Sequence, residues 1–118
     1  MSSYKELDIY KEAYILAIQI HNLSLKLPKF ELYEQGSQIR RSSKSIKDNI
    51  AEDYGRRRYK ADYIKFLVYA QSSCDECIGQ IEMIRELYPD LIDFDPLIKM
   101  YNLPGKKINR FIQAIERR

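Results

Sequence analysis

The sequence predicts an all-α fold, an up-down-up-down antiparallel four-helix bundle over residues 1–118 as a single domain. Three observations carry that expectation. Apolar residues recur three and four positions apart in four separate segments. Only four glycines and four prolines punctuate the chain, which leaves room for long helices. Every connection between the segments is short, so consecutive helices become antiparallel neighbours, and the spacing suits interlocking side chains at a crossing of about 20°.

The first helix is expected over about residues 8–26, with the stripe Ile9, Ala13, Leu16, Ile20, Leu23 and Leu27. Pro28 closes it, because the residue before a proline is pushed out of the helical region. The second is expected over about 31–54, with Leu32, Gly36, Ile39, Ser43, Ile46, Ile50 and Tyr54 on one face and Gly55 as a left-handed cap. The third spans about 59–88 on the stripe Tyr63, Leu67, Ala70, Cys74, Cys77, Ile81, Ile84 and Tyr88, and Pro89 ends it. Its start has no Ser, Thr or Asn cap, and Asp62 in the first turn is the nearest substitute. The fourth spans about 96–117, opened by Asp95 as N-cap and Pro96 at the first helical position. Pro104-Gly105 interrupts it, yet Leu97, Tyr101, Ile108, Phe111 and Ile115 hold one phase. That phase favours a kink over a short break at 102–105.

Composition bounds the class. A chain of 118 residues, 45% hydrophobic and 31% charged, is an ordinary soluble globular protein that needs no disulfide or metal to hold a core. No apolar run approaches the roughly 20 residues of a membrane span. The start, Met-Ser-Ser-Tyr-Lys-Glu, has no signal-peptide character. A cytoplasmic location is therefore the expectation, and two cysteines without a framework suit a reducing compartment.

Chemistry-bearing residues are few. Cys74 and Cys77 fall mid-helix on an apolar stripe, away from the helix N-terminus where a dipole activates a thiol. They read as core. Zinc needs about four ligands, and the only histidine is His21. A di-iron bundle needs Glu-x-x-His on two helices, and Ile18 stands where that glutamate belongs. No serine or cysteine has a plausible base, and Asp75-Glu76 show no sign of a cleft. The expectation is no enzymatic activity, no cofactor, no metal and no small-molecule substrate.

A turn centred near residue 58 pairs the second and third helices so that partner numbers sum to about 116. Arg40 then meets Glu76 in an ion pair, and Arg41 meets Asp75. Gly36 faces Gln80 beside Gly79, where the helices approach closely. Asn49 and Glu52 add to this polar set, and of the two readings, a functional site or a buried or semi-buried network that sets helix register, the network is favoured.

The stretches Ser37-Gln38-Ile39-Arg40-Arg41 and Ser45-Ile46…Asn49-Ile50-Ala51-Glu52…Tyr54-Gly55, followed by Tyr63-Ile64-Lys65-Phe66-Leu67…Ala70…Ser73…Glu76, carry a resemblance. The chain resembles the small bacterial four-helix bundle proteins first noted as products of intervening sequences in 23S rRNA genes. The likeness covers about residues 4–88 and weakens in the fourth helix. Asp53 stands where that family usually has glycine, Lys47 where proline is frequent, and Ser42-Ser43 where alanines are common. The resemblance implies a homopentamer without enzymatic activity. It also implies kinship to a basic, nucleic-acid-binding accessory subunit of diversity-generating retroelements. Ten tyrosines and no tryptophan, with Tyr10, Tyr14 and Tyr69 beside the core stripes, also favour self-association.

Net charge is only +3, from 20 basic and 17 acidic groups, but the topology separates the signs. Arg56, Arg57, Arg58, Lys60, Arg117 and Arg118 gather at one pole. Glu31, Glu34, Glu86, Asp90, Asp93 and Asp95 gather at the other, partly offset by Lys26 and Lys29. The basic pole is read either as solvated helix ends that complement two dipoles or as a phosphate-binding surface for RNA or DNA. The corresponding function classes are a homo-oligomeric nucleic-acid binder and a protein-interaction scaffold without nucleic-acid contact.

Overall fold

Four stripes that each need burial find it in one another. The computed structural model describes residues 3–118. Its helices are α1 (Asp8–Ser24), α2 (Gln35–Gly55), α3 (Lys60–Leu87) and α4 (Asp95–Glu116), with short 3-10 turns at Tyr4–Glu6 and Lys29–Tyr33. They form a rod of 47 × 22 × 21 Å. Around it α1 packs on α2, α2 on α3, α3 on α4, and α4 closes back on α1. The interior is aliphatic: Leu16, Ile20, Ile39, Ile46, Ile50, Leu67, Ile81, Ile84, Ile108 and Ile115 are fully buried, with Tyr101 the largest side chain among them.

The antiparallel order shows in ties between distant residues. Ser45 Oγ and Ser73 Oγ lie 2.9 Å apart across α2 and α3. Cys74 Sγ reaches the Tyr101 carbonyl of α4 at 3.6 Å. Lys107, just past the middle of α4, pairs with Glu12 in the first half of α1. No described helix is long and apolar enough to cross a membrane.

Several local expectations change. The second helix begins at Gln35, not near 31, because Glu34 leaves the helical region at φ −112° and ψ −96°. Leu32 therefore lies in the 3-10 turn, outside the stripe. The first helix stops at Ser24, and Lys26 and Leu27 bond to the Leu23 and Ser24 carbonyls in a tightened turn. Gly55 is no left-handed cap: no described glycine has positive φ. Arg56 ends α2 instead, its N–H reaching the Glu52 and Asp53 carbonyls at 3.2 and 3.0 Å. At the start of α4, Asp95 is already helical, and the carboxylate that accepts an end N–H belongs to Asp93, 3.2 Å from the Asp95 nitrogen. The fourth helix runs unbroken through Pro104, whose ring is buried in the bundle. Burial of that ring offsets the lost backbone hydrogen bond.

Candidate functional site at the basic pole

The end of α2, the start of α3 and the end of α4 meet at one end of the rod. Lys60 makes the junction: its ammonium donates to the Arg118 carbonyl at 2.8 Å and to the Glu116 carbonyl at 3.5 Å. A cation on the main-chain oxygens at and just beyond the end of α4 satisfies orphan acceptors and complements the helix dipole. All six cations expected here, Arg56, Arg57, Arg58, Lys60, Arg117 and Arg118, are exposed.

They are not equivalent. Arg56 bonds Glu52 Oε1 at 2.8 Å and Asp62 Oδ2 at 3.3 Å, and its guanidinium lies 4.9 Å from the Phe66 ring centre. Donating those hydrogen bonds to Glu52 and Asp62 pushes its pKa up. Arg56 is thus neutralised within the chain. Arg57 donates to the Tyr54 carbonyl at 2.7 Å and stacks 4.0 Å over the Tyr54 ring. Arg118 sits 5.9 Å over Tyr63. Among the described residues Arg58 has no hydrogen bond, ion pair or ring partner, and with Gly55, Arg57 and Tyr59 it lines a concavity of about 430 Å³.

Asp53 lies on the inner side of this end, a burial that the apolar pattern of the sequence does not announce. It is only 2% exposed, and its Oδ1 has no hydrogen-bond partner among the described residues. Desolvation pushes its pKa up to about 8, because a buried carboxylate without a partner is costly. Burial raises neighbouring Tyr63 too, with the Asp53 charge adding to the shift. The hint available in the sequence was spacing: Asp53 stands three residues after Ile50 and so can enter the stripe.

The polar set on α2 and α3 differs from the expected network. Arg40 does not meet Glu76. It donates to Ser24 Oγ at 2.9 Å and to the Leu32 carbonyl at 2.7 Å, which ties α2 to the α1–α2 connection. Glu76 faces Gln80 instead, at 3.4 Å. Among the described residues Arg41 reaches only Ser37, at 3.5 Å, and makes no pair with Asp75. The α2–α3 seam is built from smaller groups. Ser42 donates to Gln80 at 2.6 Å, and Asn49 donates to the Ser45 carbonyl and hydroxyl at 2.9 and 3.0 Å while Ser45 meets Ser73. Pairs 42–80 and 45–73 sum to 122 and 118, above the expected 116. The helices are therefore slid relative to that expectation. Long charged side chains find better acceptors off the seam, while short hydroxyls fit between close helices. Glu52 stands apart from this network, exposed and paired to Arg56.

At the opposite pole Glu31 is buried and accepts from the Tyr88 hydroxyl at 3.0 Å, joining the α1–α2 turn to the end of α3. The two cysteines are core. Burial pushes Cys74 up to about 12 and Cys77 up to about 11, so both thiols stay protonated and unreactive at neutral pH. Among the described residues no group of three or more His, Cys, Asp or Glu could hold a metal.

The profile of the family described as 23S rRNA-intervening sequence protein matches residues 5–110. The match thus runs past the first three helices and well into α4. Among curated proteins no sequence matches this chain.

Proposed function

Because the chain belongs to the 23S rRNA-intervening sequence protein family, we propose that it is a non-enzymatic homo-oligomeric bundle, a pentamer, that binds RNA or DNA through its basic pole. One observation carries the reading. Of the six cations at this pole, only Arg56 pairs with a side-chain carboxylate among the described residues, which leaves five without such a partner on one end of a rod. Cations whose charge no side-chain carboxylate compensates form a field that attracts polyanions and releases their counterions on binding. Self-association is supported by the outer face of α1, where Tyr14, Ile15 and Ile18 lie adjacent and exposed. A closed ring of such subunits would set several basic poles side by side and raise the effective concentration of each.

The test is a binding titration against generic RNA and DNA at several salt concentrations. The Arg57→Ala/Arg58→Ala double variant should bind more weakly, and its salt dependence should flatten by ~0.7–0.9 for each phosphate that is no longer neutralised. Arg56→Ala should change the slope little, because Glu52 and Asp62 already compensate that charge. An unchanged slope and affinity in the double variant would assign this pole to solvent and leave a protein-interaction scaffold as the better reading.

A further inference from the structure

The aromatic rings at the basic pole divide into covered and uncovered. Tyr54 lies under Arg57 at 4.0 Å, Tyr63 under Arg118 at 5.9 Å, and Phe66 under Arg56 and Lys65 at 4.9 and 5.5 Å. Tyr59 is the exception. It is 63% exposed, has no ring or cation against it among the described residues, and lines the same concavity of about 430 Å³ as Arg57 and Arg58.

Its backbone is firmly held. Tyr59 is the extended residue that caps α3, at φ −111° and ψ 108°. Its N–H reaches the Arg56 carbonyl at 3.0 Å, and its carbonyl accepts from Tyr63 at 2.8 Å. A large apolar ring is thus presented to water from a rigid helix junction, beside a guanidinium that has no partner among the described residues. Such a ring loses little conformational entropy when something stacks on it. The adjacent Arg58 supplies the charge that a phosphate next to that group would need.

We propose that Tyr59, with Arg57 and Arg58, forms a subsite for single-stranded nucleic acid in which an unpaired base stacks on the Tyr59 ring and an adjacent phosphate meets the two arginines. This rests on the nucleic-acid reading above and narrows it to strands whose base faces are free. In a duplex each base face is covered by its neighbours, so the ring has nothing to stack on and only phosphate contacts remain. Every base has a π face, so the subsite tolerates sequence. The hydroxyl is not required for stacking.

The experiment compares fluorescent oligo(U) and oligo(dT) with a duplex of matched length, at fixed and varied salt, for wild type, Tyr59→Ala, Tyr59→Phe and Arg58→Ala. Tyr59→Ala should weaken binding to at least one of the single strands by about 5- to 150-fold and leave its salt slope and the duplex affinity unchanged. Tyr59→Phe should retain wild-type affinity, and Arg58→Ala should reduce the salt slope on single strand and duplex alike. Circular dichroism confirms that each variant folds. If wild type binds both single strand and duplex but Tyr59→Ala weakens neither single strand, the base-stacking subsite is wrong and the phosphate-binding reading survives. If Tyr59→Ala weakens duplex as much as single strand, the ring does not select unpaired bases and the inference also fails. Wild type that binds no nucleic acid at low salt overturns both readings together.

Discussion

Asp53 shows how one side chain couples burial to pH. Its carboxyl is held near pKa 8 by desolvation, against 3.8 for the free group. Between those values the folded chain holds a proton that the unfolded chain has released. Stability from this group is therefore fully present below about pH 4 and lost as pH rises through 8, at a slope of at most about 1.4 kcal/mol per pH unit. The comparison needs a variant that isolates this one group. Asp53→Asn keeps the shape and removes the titration. Urea unfolding at pH 5, 6, 7 and 8 should show the Asn variant gaining on wild type at each step, with the difference vanishing towards pH 4. A gap that stays constant across this range would mean that Asp53 is hydrated and ionised in the folded chain.

Two glycines within helices differ in what surrounds them. A Cβ on Gly36 would lie 2.9 Å from Arg40 Nη1, 3.0 Å from the Glu31 carbonyl oxygen and 3.6 Å from Leu27 Cδ1. The expected close approach at Gly36 is thus real, but its partner is the α1–α2 connection rather than α3. Since the 3.0 Å neighbour is backbone and Arg40 is already committed to Ser24 and Leu32, neither yields easily. A Cβ on Gly79 meets nothing within 4 Å. Helix propensity favours alanine over glycine by about 1 kcal/mol, and only Gly79 is free to realise it. Gly79→Ala should raise the unfolding free energy by about 0.5–1 kcal/mol, whereas Gly36→Ala should lower it despite the same propensity gain. Equal effects in a denaturant titration would show that Gly36 is not tightly packed.

The whole molecule is a polarised rod with an apolar stripe along one edge. Cations cluster where α2, α3 and α4 end or begin together, and the buried Glu31–Tyr88 contact marks the other pole. Tyr14, Ile15 and Ile18 expose apolar area on α1, and a contiguous patch of this kind favours association. Light scattering should return a mass near five times the 14.1 kDa of one chain. Ile15→Glu/Ile18→Glu should shift it towards 14.1 kDa without loss of helicity, because both side chains face water in the single chain. A wild-type monomer at high concentration would end the pentamer proposal. A pentamer unaffected by the double variant would place the interface on another face.

Local pattern was enough for the four helices, their core faces and their antiparallel order. Spacing of three and four marks a face whatever packs on it, and short connections allow few topologies. The stripe Ile9, Ala13, Leu16, Ile20, Leu23 and Leu27 is buried in full, as is Tyr63 through Ile84 on α3. The polarity of the rod was legible for the same reason, since chain order alone brings Lys60 to the end of α4. What the sequence left open was angular and axial. Successive helical residues differ by about 100°, so Asp53 and Tyr54 are both near the stripe, and only packing sent Asp53 inside and left Tyr54 half-buried beneath Arg57. A slide of α2 along α3 costs the pattern nothing, yet it replaces the Arg40–Glu76 pair with Ser42–Gln80 and frees Arg40 for Leu32. Tertiary structure also decided which arginine of Arg56, Arg57 and Arg58 is neutralised, because that depends on where Glu52 and Asp62 converge in space. Helical periodicity is a property of one segment, whereas register and charge pairing depend on how two segments meet.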